Sequence, residues 1–242
     1  MFHSILKKEI SSFFSSVTGY LVIGVFLLAT GLMLWVIPGT YNIIDGGYAQ
    51  LNGLFELAPW LFLFLCPAIT MKAIAEEKME QTWDLMISKP VGVTKIVLAK
   101  YAASWLLVLT ALLPTLISLI SVYYIAEPVG NVDLGAFWGS FTGLLLLAAV
   151  YLAIGIFASS LSKSQVLAFI IAFGMSFFIY YGFDLIAMFF YSGANIHAVE
   201  SLGMHFHYKS ISRGVLDSTD LLYFLVVCTL FLYLTVRKLK IK

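Results

Sequence analysis

Charge is scarce in this sequence. Only 11% of its 242 residues are Asp, Glu, Lys or Arg, against 61% hydrophobic, whereas a soluble domain carries about 25% charged and about 45–50% apolar residues. That deficit excludes a water-soluble globule and places the chain in a bilayer. A net charge of +1 lacks the cationic excess of a nucleic-acid binder, so no nucleic-acid partner is expected. Cysteine is nearly absent. Cys66 and Cys228 both fall inside apolar runs, which favours two packed small hydrophobes over a disulfide or metal pair. There is no fixed-period repeat, low-complexity linker or break in composition, so one membrane domain over 1–242 is expected. No H-E-x-x-H, paired aspartates or Ser/His dyad occurs within the apolar runs, which removes the intramembrane enzymes. A G-x-x-x-x-G-K-[ST] phosphate loop is also missing.

The sequence does contain apolar length. A spanning helix takes about 20 apolar residues, and six runs qualify: 19–37, 55–72, 97–125, 134–160, 165–190 and 219–237. Runs such as LLVLTALLPTLISLI do not alternate as barrel strands must, so the expected fold is an all-α membrane protein. The first run is longer than the roughly 7–15 residues of a signal-peptide core and has no A-x-A-like site after it, so it is expected to stay as an anchor. Twelve of the 14 Lys and Arg residues fall on one side of the six spans; only Lys209 and Arg213 fall on the other. Both termini are therefore expected in the cytoplasm.

Against this background, Lys72–Lys100 is an island that holds nine of the 27 charged residues. Orientation needs only its lysines; the acids have another purpose. On one helix from about Glu77 to Ser88, Glu77, Glu80 and Asp84 share a face, and Met79, Trp83 and Met86 a neighbouring apolar face. Pro90 and Gly92 would end that helix, and Thr94 would cap the next. A short helix with Trp and Met on one side and acids on another suits a protein groove, or else packs against its own bundle. Ahead of the first span, Phe2, Ile5, Leu6, Ile10, Phe13, Phe14 and Val17 recur at helical spacing opposite Lys7 and Lys8. They predict an interfacial amphipathic helix over 1–17, either a membrane anchor or an elbow that also touches a partner.

Residues 58–103, APWLFLFLCPAITMKAIAEEKMEQTWDLMISKPVGVTKIVLAKYAA, resemble the second span, cytoplasmic loop and third-span entry of ABC-2-type transporter permeases, closest to the gliding-motility GldF-like branch. GIFASSLSKSQVLAF, ISRGVLDSTDLLYFL and the N-terminal KKEISSFFSSVTGYLV are similar to the same family. The resemblance implies a non-catalytic permease subunit in the bacterial inner membrane, paired with a second copy or a related permease. It also implies a separate dimeric ATP-binding subunit that brings ATP and magnesium, with no cofactor on this chain. The loop at 72–96 would carry the coupling helix, which puts Glu76, Glu77, Met79, Glu80, Trp83, Asp84 and Met86 at the ATPase. Pro67 and Pro114 become candidate hinges within the second and third spans. Some relatives perform mechanical work on outer-side proteins instead of exporting a solute, and both outcomes stay open here.

Other polar groups are few. Asp184 is the one charge well inside an apolar run, which reads either as lining a pathway or as a structural hydrogen bond. A secondary transporter or channel usually shows several such groups. Gly139 and Gly143 form a GxxxG that favours packing within the subunit over a dimer seam. The outer segment 192–218 carries His197, His205 and His207, whose spacing does not make a structural zinc site. Ile196, Val199 and Phe206 there predict a short amphipathic helix that caps an exit or meets an extracytoplasmic partner. Asp217 and Ser218 are candidate caps for the last span.

Overall fold

A computed structural model of the chain describes residues 2–88, 92–215 and 217–240. Within them the structure is helical without a strand. In lipid an open backbone finds no hydrogen-bond partners, so each apolar run closes on itself as a helix. Helix α1 (Phe2–Ser15) precedes the first span, α2 (Val17–Trp35). The second span, α3 (Asn52–Thr70), leads into two short helices, α4 (Ala75–Met79) and α5 (Thr82–Ile87). The third span is α6 (Val93–Leu112) continued by α7 (Leu116–Ile125), and the fourth is α8 (Leu134–Leu161). The fifth is α9 (Gln165–Phe177) continued by α10 (Phe183–Ala187). Short helices α11 (Gly193–Glu200) and α12 (Met204–Ile211) lead to the last span, α13 (Ser218–Lys240). All six spans match the expected runs to within a few residues.

Several span starts are fixed by side-chain caps at the polar boundary. Ser16, Asp133 and Ser164 accept from the amides of Gly19, Ala136 and Leu167, and Asp217 accepts from Thr219, as expected for that aspartate. Thr94 does not cap the third span. Gly92 holds the cap position, without a side-chain bond, and Pro90 lies outside the described residues.

Two spans form the centre. In the best apolar window of the second and fourth spans 67% and 72% of residues are buried, against 22–33% for the other four. The others therefore wrap a two-helix axle and turn apolar sides outward. Glycine lets the axle close: a Cβ on Gly155 would lie 2.0 Å from Thr70 Oγ1, so α8 meets α3 backbone to side chain. Gly139 and Gly143 likewise face Gly214 and Ile211, so the GxxxG packs within the chain. Prolines behave unequally. Pro59 and Pro67 lie inside an unbroken α3, whereas Pro114 sits in the 3-10 turn Leu113–Thr115 that separates α6 from α7.

Ile5 of α1, Trp83 of α5 and Leu239 of α13 share one apolar cluster. That cluster marks the terminal face, which α1 and the end of α13 share. The loops 36–51 and 126–133 and helices α11 and α12 form the far face.

Candidate functional site

Between α3 and α6 the charged island does not form the single helix expected over Glu77–Ser88. Gln81 takes a left-handed conformation (φ 60°, ψ 16°) and splits it into α4 and α5. The break redistributes the side chains that uniform helical spacing had grouped. Glu77 is 7% exposed and Trp83 3%, so both turn inward, and Met86 packs half-buried beside Trp83. Trp83 is therefore not an outward anchor: it fills an apolar pocket among Ala73, Ile74, Ile96, Val97, Ile156 and Leu239. Met79, Glu80, Gln81, Asp84, Leu85 and Ser88 stay exposed, Leu85 by 67%. Leu85 carried no distinguishing sequence signal.

The segment is tied to the bundle by bonds from four directions. Ser159 of α8 accepts from the amides of Ile74 and Ala75, both at 3.0 Å, and donates to the Met71 carbonyl at 3.1 Å. It thereby satisfies two amides at the start of α4 that a short helix leaves open. Lys78 donates to the Ser160 carbonyl. Gln165, at the start of α9, donates to Glu76 at 3.3 Å. Lys100, in the first turns of α6, is 1% exposed and donates to Glu77 at 2.8 Å and to Glu9 of α1 at 2.6 Å. Lys8 completes the group at 3.6 Å from Glu77. A charge so buried is tolerated only with such pairing. Helix α1 also lays its apolar stripe on the protein: Ile5, Phe13 and Phe14 are half-buried, while Lys7 and Lys8 are exposed.

On the far face the histidines find carboxylates singly. His205 Nδ1 donates to Asp184. His207 meets Asp220 at 2.7 Å through Nδ1 and the Ser201 carbonyl at 2.9 Å through Nε2, and its ring stacks on Tyr223 at 4.0 Å. The two rings of the H-x-H pair thus serve different carboxylates. His197 lies edge-on to Phe206. Asp184 therefore has a partner at the fifth span's far end, just past a π turn at Phe178–Gly182 that shifts the register of the side chains after it. The expected outer helix is a pair, and of the two only α12 buries side chains, Met204, Tyr208 and Ile211. Burial, with the Tyr180 phenol and Glu56 nearby, holds the Tyr208 phenol well above its ordinary pKa, and its hydroxyl donates to the Phe55 carbonyl at 2.6 Å.

A family model described as ABC-2 family transporter protein matches residues 50–237. The match runs from the approach to α3 to near the end of α13 and takes in the whole tied segment. No curated protein gives a significant match.

Proposed function

The chain belongs to the ABC-2 transporter family, and on that premise we propose that it is the permease subunit on which a separate dimeric ATP-binding subunit acts through the segment between α3 and α6. One observation carries this reading: the segment is fastened to α1, α6, α8 and α9, yet presents Met79, Glu80, Asp84 and Leu85 to water. A surface meant to transmit force must not yield beneath its partner. Here the buried Glu77–Lys100 pair and the Trp83 pocket form the footing, and the exposed acids and apolar tips form the contact. Two large apolar side chains flanked by acids make a rimmed contact of the kind that excludes water.

In this account ATP and magnesium sit in the partner, consistent with the missing phosphate loop. The terminal face is cytoplasmic, in the inner membrane of a bacterium, as the 12 Lys and Arg residues on that side favour. The working unit contains a second copy of the chain or a related permease, in the manner of the GldF-like branch, together with lipid and an extracytoplasmic auxiliary protein on the far face. Pro114, at the break in the third span, is the better placed hinge. The work delivered is export, or mechanical action on that outer protein. A secondary transporter is less favoured, because Asp184 is already paired with His205.

The test is co-purification in mild detergent with mass spectrometry of the bound subunits, followed by ATPase assays of the complex. Leu85→Glu and Asp84→Lys should each reduce stimulated ATPase activity about tenfold, the scale of losing one contact anchor, with insertion unchanged. Recovery of no ATP-binding subunit, or full stimulation in both variants, would refute the proposal.

A further inference from the structure

The far face holds a cavity of about 670 Å³ between α3, α8, the π turn of the fifth span and α12. Its volume falls within the roughly 300–1,000 Å³ of small-molecule sites. Lys209 and Arg213, the two Lys/Arg residues that the six spans leave on this side, both line it. So does Glu56 of α3. All three are exposed, and none enters an ion pair among the described residues. Opposite charges that line one cavity and stay apart are available to a ligand. Lys209 and Arg213 stand four residues apart and suit a phosphate, which arginine grips with two parallel donors. Trp60 and Tyr180, edge to face at 5.8 Å, supply an aromatic wall. Together with Glu56 that wall suits an ammonium, held by charge and by the ring faces. Trp60 lies eight residues into α3, about 12 Å below its mouth at 1.5 Å per residue. The cavity thus extends at least two turns along α3 from its outer end.

We propose that this cavity binds a zwitterionic headgroup, a phosphate and an ammonium joined by a short linker. The phosphate lies on Lys209 and Arg213 and the ammonium on Glu56 and Trp60. Membrane lipid and a free zwitterion share this chemistry. The inference does not depend on ATP coupling, and testing the permease chain alone keeps the two separable.

The full-length chain, purified in a nonionic detergent, is titrated by calorimetry with dihexanoyl phosphatidylethanolamine, dihexanoyl phosphatidylglycerol and free phosphoethanolamine. One phosphatidylethanolamine should bind per chain, about tenfold or more tighter than phosphatidylglycerol, the scale of one charge-assisted contact. Glu56→Gln should weaken phosphatidylethanolamine to the level of phosphatidylglycerol. The double variant K209Q/R213Q should weaken both by about tenfold or more. All three side chains are exposed, and an unchanged elution profile verifies folding. Competition by free phosphoethanolamine assigns a soluble ligand; its failure, with the lipid bound, assigns a lipid. Equal affinity of the unmodified chain for both lipids, or unchanged affinity in both variants, overturns the proposal.

Discussion

Removing the Lys100 ammonium should unsettle the terminal face more than any other single charge change. Lys100 is 1% exposed and stands 2.8 Å from Glu77 and 2.6 Å from Glu9. At an effective dielectric of about 20, each contact carries about 6 kcal/mol of gross attraction, and desolvation of the three groups offsets most of it. The net consequence depends on what is left behind. In Lys100→Met, Glu77 keeps only Lys8, which is 3.6 Å away and exposed, a pair worth about 0–1 kcal/mol. Glu9 is less enclosed and can turn to water. An uncompensated buried carboxylate then costs about 3–5 kcal/mol. Adding Glu77→Gln removes that charge and should recover about 2–3 kcal/mol, the coupling expected of contacting residues. Equilibrium unfolding in mixed SDS and mild detergent, followed by circular dichroism and tryptophan fluorescence, measures all four corners of the cycle. If Lys100→Met is as stable as the parent, or the two losses simply add, the buried pair is not what fastens this segment.

Ser159→Ala strips the cap from the amides of Ile74 and Ala75 and should cost about 1–3 kcal/mol, with faster proteolysis at 72–88 as the readout. Asp184→Leu leaves His205 without its carboxylate and should cost about 1–3 kcal/mol. His205→Leu in that background should add little, and the ATPase activity of the proposed complex, per folded permease, should not change; lost activity at full stability would return Asp184 to a pathway role. The Thr219 hydroxyl and amide hold the Asp217 carboxyl below its ordinary pKa. A folded pKa below the unfolded one means that this cap is fully formed above the ordinary carboxylate range and fades only as pH falls through the lowered value. Hydrogen exchange at Leu221, whose amide bonds the Asp217 carbonyl, should accelerate below that point, and Asp217→Asn should abolish the pH step.

The spans were legible because apolar length is written in composition, and lipid allows one solution to it. The cap at Asp217 follows from local chemistry and needed no tertiary knowledge. The island was legible as an anomaly but not as a shape. Helical spacing sorts residues into faces only while the helix continues, and a left-handed Gln81 has no strong sequence mark, since Gly or Asn is the usual occupant. Spacing also does not say which face turns inward. What buries Glu77 is Lys100, 23 residues away, and what fixes α4 is Ser159, 84 residues beyond Ala75. The partners of His205 and His207 were hidden for the same reason, since Asp184 and Asp220 come from other elements.

The reach of Ser159 and Leu239 has a consequence for biogenesis. A nascent chain that has inserted only its first three spans already contains every residue of the segment between α3 and α6. It still lacks the hydroxyl that caps α4 and the leucine that closes the Trp83 pocket. That surface therefore matures only after the fourth span has entered and the sixth has docked. A chain truncated before α8 would keep the Lys100–Glu77 pair but not the α4 cap or the closed Trp83 pocket, so the final shape of the segment depends on completion of the membrane bundle.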